Sequence, residues 1–241
     1  ISFLFVLSAL IVCLLSCGKQ DVGEKIRVVS TIGMIHDLVL SIGAEDVHAV
    51  ALMGPGVDPH LYKASEGDVR KLANADIVFY NGLHLESKMG EILKKLGAKR
   101  TVVAVAEAIP SDRLRMPPEF QGQHDPHVWF DVSLWMIVAA QIRDTLIAKD
   151  PAHKADYTRR VEATLAALQA LHDWVKIEMA SIPKAQRILV TAHDAFGYFG
   201  AAYDVQVLGL QGISTQAEAG TKDVQNLATY IASTKIKAIF I

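Results

Sequence analysis

The run AHKADYTRRVEATLAALQALHDWVKIEMASI, residues 152–182, contains neither glycine nor proline, and Tyr157, Val161, Leu165, Leu168, Leu171 and Val175 recur along it at spacings of three and four. That period predicts one amphipathic helix, about 45 Å long at 1.5 Å per residue, enough to run the length of a small domain. On its N-terminal side, short β-branched runs at 26–30, 47–52, 76–80 and 101–105 alternate with helical patterns at 34–42, 65–73 and 86–96. A proline-rich loop at 110–127 and a helix at 131–149 follow. On the C-terminal side the alternation resumes, with strands at 187–191, 205–208 and 238–241 and helices at 195–202 and 222–233. Strands alternating with helices of this length predict an α/β fold with parallel-type sheets and flanking helices. The expectation is two βα lobes joined by one long backbone helix, with three strands in the second lobe against four in the first. The chain starts without a methionine and stops inside an apolar run, so it reads as a piece cut at both ends with an incomplete second lobe.

Composition narrows the class. The 241 residues are 51% hydrophobic and 21% charged, which excludes a disordered chain. Lys and Arg number 24 against 26 Asp and Glu, a balance that lacks the basic excess of a nucleic-acid footprint. Cys13 and Cys17 are the two cysteines, too few for a disulfide framework or a thiolate metal cluster. Residues 1–15 are almost wholly apolar but shorter than the roughly 20 residues of a membrane-spanning helix, and they suit the core of an export signal. Leu14-Leu15-Ser16-Cys17 resembles a bacterial lipobox, which marks Cys17 for lipidation. The expected division is a signal peptide at 1–16, a tether at 17–25, an N-terminal lobe at 26–150, the linking helix at 151–183 and a partial C-terminal lobe at 184–241.

Three of the nine histidines sit just after predicted strands: His60, His127 and His193. Two of them end the same tripeptide, Asp58-Pro59-His60 and Asp125-Pro126-His127, of which roughly 0.02 copies are expected by chance at ordinary residue usage. Proline stiffens the backbone that carries each imidazole, as a selective metal site requires. Ligands of open α/β sheets bind outside the carboxyl ends of strands, so all three rings are placed to meet between the lobes. Neutral imidazole suits zinc and several other first-row ions. Asp58, Asp125, Asp194 and His124 stand next to these histidines as supporting groups, His124 also as a substitute ligand, and His84 is a weaker candidate for support. Neither a His-Glu-x-x-His helix nor a Gly-x-Ser-x-Gly elbow is present, so enzyme signals are poor.

Asp58 to Tyr62 with Asp68, Asn81-Gly82-Leu83 followed by Leu85-Glu86, Asp125 to Asp131, and Thr191 to Phe199 together resemble the zinc/manganese solute-binding lipoproteins of ABC transporters. The resemblance implies two lobes, a single linking helix and one Zn2+ or Mn2+ ion in the cleft as transported ligand. It places the ligands on His60, His127 and His193, with a fourth, an Asp, expected beyond Ile241. Some manganese-selective relatives carry Glu at the third position, so His193 implies a zinc-leaning or mixed site. Two features depart from the pattern: Ala64 stands where many relatives have Pro, and no long His-rich loop lies between Pro110 and Gln123. The implied partners are a membrane permease with its cytoplasmic ATPase, and the membrane itself through a lipid anchor. The implied state is an exported monomer in the periplasm or at the cell surface. Rival expectations are a secreted zinc-dependent hydrolase with a three-histidine site, and a surface adhesin.

Overall fold

The computed structural model describes residues 25–216, 219–234, 236 and 238–240. The expected signal peptide, Cys17 and all but the last residue of the tether lie outside them. Six strands and seven α-helices are present among the described residues: β1 (Ile26–Ser30), α1 (Gly33–Gly43), β2 (Val47–Ala51), α2 (Glu66–Asn74), β3 (Ile77–Tyr80), α3 (Gly90–Gly97), β4 (Thr101–Ala104), α4 (Val132–Lys149), α5 (Lys154–Ser181), β5 (Ile188–His193), α6 (Gly197–Tyr203), β6 (Gln206–Gln211) and α7 (Thr221–Thr234).

The first four strands form a parallel sheet in the order β2-β1-β3-β4. Ile77, Val78 and Phe79 of the central β3 are fully buried, as a strand covered on both faces requires. After β1 the chain turns to one side to make β2 and then crosses to the other to make β3, so a crevice opens beyond the carboxyl ends of β1 and β3. Local chemistry sets the helix starts. Ser65 and Asp68 form a reciprocal capping box on α2, and Asp131 accepts from the Ser133 amide at the head of α4.

The expected long helix is α5, 28 residues and about 42 Å. It packs on α1 and α4 and reaches α6 of the second half. Its apolar stripe holds for the first half only. Of its six residues Tyr157 and Val161 are fully buried, Leu165 and Leu168 pack on the core, Val175 is half-buried and Leu171 is exposed, as are Trp174 and Ile177 beside the stripe. The buried group in the second half is His172, whose Nδ1 lies 3.0 Å from the Tyr203 hydroxyl.

The second sheet pairs β5 with β6 in parallel. The expected third strand at 238–241 is present only as a parallel bridge between Thr191 and Phe240, closed by Ala192 N–H to Phe240 O and Phe240 N–H to Val190 O at 2.9 Å each. Among the described residues no helix is long and apolar enough to cross a membrane.

Candidate metal centre

His60, His127 and His193 converge, with one ligand atom of each within 4.8 Å of the others. The Nε2 atoms of His60 and His127 are 3.1 Å apart, and those of His193 and His127 are 3.2 Å apart. His60 and His127 are buried and His193 is half-buried. Two come from segments before α5 and one from β5 beyond it. The exact positions differ from the sequence expectation: His193 is the last residue of β5, and His60 and His127 lie well downstream of β2 and β4.

Both Asp-Pro-His tripeptides fold alike. Asp58 Oδ1 accepts from the His60 amide at 2.8 Å, and Asp125 Oδ1 from the His127 amide at 3.0 Å. Each aspartate thus closes a turn over its proline, a local preference of this side chain. Their remaining contacts separate them. Asp125 Oδ1 also lies 2.8 Å from His127 Nδ1, whereas Asp58 Oδ2 accepts from the Thr215 hydroxyl at 2.6 Å.

These contacts set the tautomers. His127 Nδ1 faces a carboxylate and His193 Nδ1 faces the Gly212 carbonyl at 2.8 Å, so in the neutral rings both Nδ1 atoms carry the proton and donate. Each Nε2 is then a bare lone pair, and two such lone pairs face each other at 3.2 Å. Without a cation between them that arrangement is repulsive. A tetrahedral zinc ion with bonds of about 2.0–2.1 Å holds its nitrogens ~3.4 Å apart, close to the spacing seen. Burial, then the nearby His127 and His193, lowers the His60 pKa to about 4. Burial, then His127, also lowers that of His193. His60 and His193 are therefore both pushed toward the neutral form, the form that binds metal.

Of the supporting candidates, Asp58 and Asp125 touch the ligands and Asp194 does not. Asp194 makes no side-chain hydrogen bond to a ligand, and burial first and the Asp125 charge second raise its pKa. His124 and His84 instead line a neighbouring pocket of about 540 Å3 with Glu86 and Glu107. The substitute-ligand expectation for His124 is not met, because its ring lies outside the cluster of three. Thr215 and Gly212 were not legible in advance, since nothing in their local sequence marks a partner so far along the chain.

The halves are held together around this cluster. Phe130 stacks on Phe196 with centroids 4.1 Å apart. Tyr198 donates its hydroxyl proton to the Asp125 carbonyl and accepts from the Arg115 amide, both at 3.0 Å. Gln216 donates to Ser87 Oγ at 2.9 Å.

A parallel α/β sheet, a second parallel sheet across a long helix, and three imidazoles at their junction define a solute-binding protein with a metal-type site. The chain belongs to the ZnuA family, described as zinc-uptake complex component A, periplasmic, which matches residues 28–241. It is 51% identical over 227 residues to the zinc-binding protein TroA of Treponema pallidum, covering 93% of this chain and 73% of that protein. It is 43% identical over 232 residues to the manganese-binding lipoprotein MntA of Bacillus subtilis, covering 95% and 76%. The solved structure of periplasmic zinc-binding TroA from Treponema pallidum superposes with a TM-score of 0.88 at 50% identity, over 90% of this chain and 78% of that one.

Proposed function

We propose that this chain captures one Zn2+ or Mn2+ ion outside the cytoplasm and delivers it to the permease of an ABC transporter driven by a cytoplasmic ATPase. His60, His127 and His193 are the ligands. The observation that carries this reading is the 3.2 Å spacing of the His127 and His193 Nε2 atoms, whose Nδ1 atoms both face acceptors, an arrangement that a bound cation stabilises. Three nitrogen donors favour zinc over manganese in the divalent stability order, so metal supply as well as ligand chemistry sets the cargo. The protein works as a monomer held to the membrane by a lipid on Cys17, and its lobes are 26–150 and 184–241 with the helix at 151–183 between them.

The role is binding, not catalysis. A catalytic zinc needs an open position and a general base beside it. The carboxylates that touch these histidines already serve to hold them: Asp58 takes the His60 amide and the Thr215 hydroxyl, and Asp125 Oδ1 takes the His127 amide and ring, with Arg115 Nε 3.9 Å from its Oδ2. Titration calorimetry with Zn2+ tests the assignment. His60→Ala, His127→Ala and His193→Ala each remove one of three donors, and each is expected to weaken binding by about tenfold or more. Unchanged affinity in all three variants refutes the site.

A further inference from the structure

Asn81 is fully buried at the carboxyl end of β3, beside the crevice where the strand order reverses. Its side-chain amide donates to two carbonyls, Gly82 O at 3.1 Å and Pro126 O at 3.0 Å. Two carbonyl acceptors demand the nitrogen on that side, which leaves Oδ1 buried without a hydrogen-bond partner. A buried orphan acceptor is costly, and an apolar residue here would avoid it, so the position calls for a reason. The reason lies at Pro126. Its carbonyl belongs to the peptide that leads into His127, and among the described residues it accepts from the Val128 amide at 2.9 Å and from Asn81. The plane of that peptide sets the direction of the His127 amide, which holds Asp125 Oδ1, which in turn holds the His127 ring.

Asn81 is itself fixed from every side. Its amide donates to Glu86 Oε1 at 2.7 Å, and its carbonyl accepts from Ala106 at 3.0 Å. The buried Glu86 carboxyl also takes the Thr31 hydroxyl at 2.6 Å and the Gly82 amide at 3.1 Å. It thereby ties the ends of β1 and β3 together. The turn between Asn81 and Glu86 is strained: Gly82, Leu83 and His84 have φ of 83°, 51° and 68° in succession. Two consecutive side-chain-bearing residues in the left-handed region persist only where the surroundings hold them there.

We propose that Asn81 is a positioning residue of the metal site, bracing His127 through the Pro126 carbonyl from a mount built by Glu86. The inference rests on His127 being a ligand of the captured ion. Removing a group that orients a metal-bound histidine typically weakens metal binding about 10–100-fold.

The test compares the full chain, stripped of metal, with Asn81→Ala, Asn81→Ser and His127→Ala. Three quantities are read: Zn2+ affinity by competition with a chromogenic chelator, the visible d–d absorption of bound Co2+, and the thermal midpoint of the metal-free protein. The expected result is a loss of Zn2+ affinity of about tenfold in Asn81→Ala together with an altered Co2+ spectrum, because the coordination geometry relaxes. A purely structural role lowers the thermal midpoint but leaves the Co2+ spectrum of the folded fraction as in wild type, and that outcome overturns the inference. So does an affinity within about threefold of wild type. If Asn81→Ala does not fold, Asn81→Ser is judged by the same criteria, and failure of both to fold overturns it too. Wild-type protein that takes up neither ion, or His127→Ala that binds as tightly as wild type, defeats the metal-capture reading itself. That pattern differs from a wild type that binds and an Asn81→Ala that is indifferent.

Discussion

At His60 burial and two neighbouring imidazoles outweigh the opposing pull of the Asp58 and Asp125 charges. Desolvation and two adjacent imidazoles all oppose a proton, and the pKa falls to about 4 from the usual 6.5. The unfolded chain takes up a proton as the pH drops through 6.5, while the folded ring refuses it until about pH 4. The unfolded state therefore binds more protons between those values, and folding stability falls with falling pH across that window and is flat above it. The expected outcome is a thermal midpoint of the metal-free protein that declines from pH 6.5 to pH 4, with a shallower decline in His60→Gln. A midpoint independent of pH over this range contradicts it. The low pKa also serves capture: a ring already neutral at pH 7 has no proton to expel before it binds a cation. The shared turn of the two Asp-Pro-His copies was legible because a turn of three residues is decided locally. The difference between the two copies was not, because it depends on which distant group each aspartate meets.

Among the elements, the clearest agreement is at helix starts. Ser65, Asp68 and Asp131 have side chains suited to capping, and α2 and α4 begin where those residues put them. Ser65→Ala removes the hydroxyl that accepts from the Asp68 amide and donates to its carboxylate, and is expected to cost about 1 kcal/mol. Urea unfolding checks it, and Zn2+ affinity should stay near wild type because the cap lies outside the ligand set. The long helix was legible from the absence of breakers and the apolar spacing of Tyr157 to Val175. Its burial was only half legible. Spacing shows which residues share a face, whereas what covers that face is a property of the neighbours. In the first half the cover is α1 and α4; in the second, the contact is His172 to Tyr203 on α6.

For the whole molecule, the decisive feature is that the three-histidine cluster is assembled from segments on both sides of α5. Thr215 reaches from the second half to Asp58, the residue that closes the turn under His60. This bond links lobe contact to the position of a ligand. Thr215→Val keeps the shape and deletes the hydroxyl. A hydrogen bond to a carboxylate contributes about 1.5–3 kcal/mol, less where it is partly exposed, so release of Zn2+ to excess chelator should quicken several-fold. Stopped-flow release kinetics measure this, and an unchanged rate shows that the bond does not restrain the ion. The ZnuA family match runs from residue 28 to 241 and takes in all three histidines.

The alternation of strands and helices, the long helix, and the three histidines as candidate ligands were determined by the sequence alone. Each depends on side-chain period or turn chemistry within a few neighbouring residues. The tertiary structure alone decided that the three rings meet, that Asp125 and the Gly212 carbonyl set the tautomers of His127 and His193, that Thr215 clasps Asp58, and that Asn81 donates to the Pro126 carbonyl. Those contacts join residues far apart in the chain, and they exist only once the strand order β2-β1-β3-β4 and the docking of the second sheet have brought the ends of separate elements to one place.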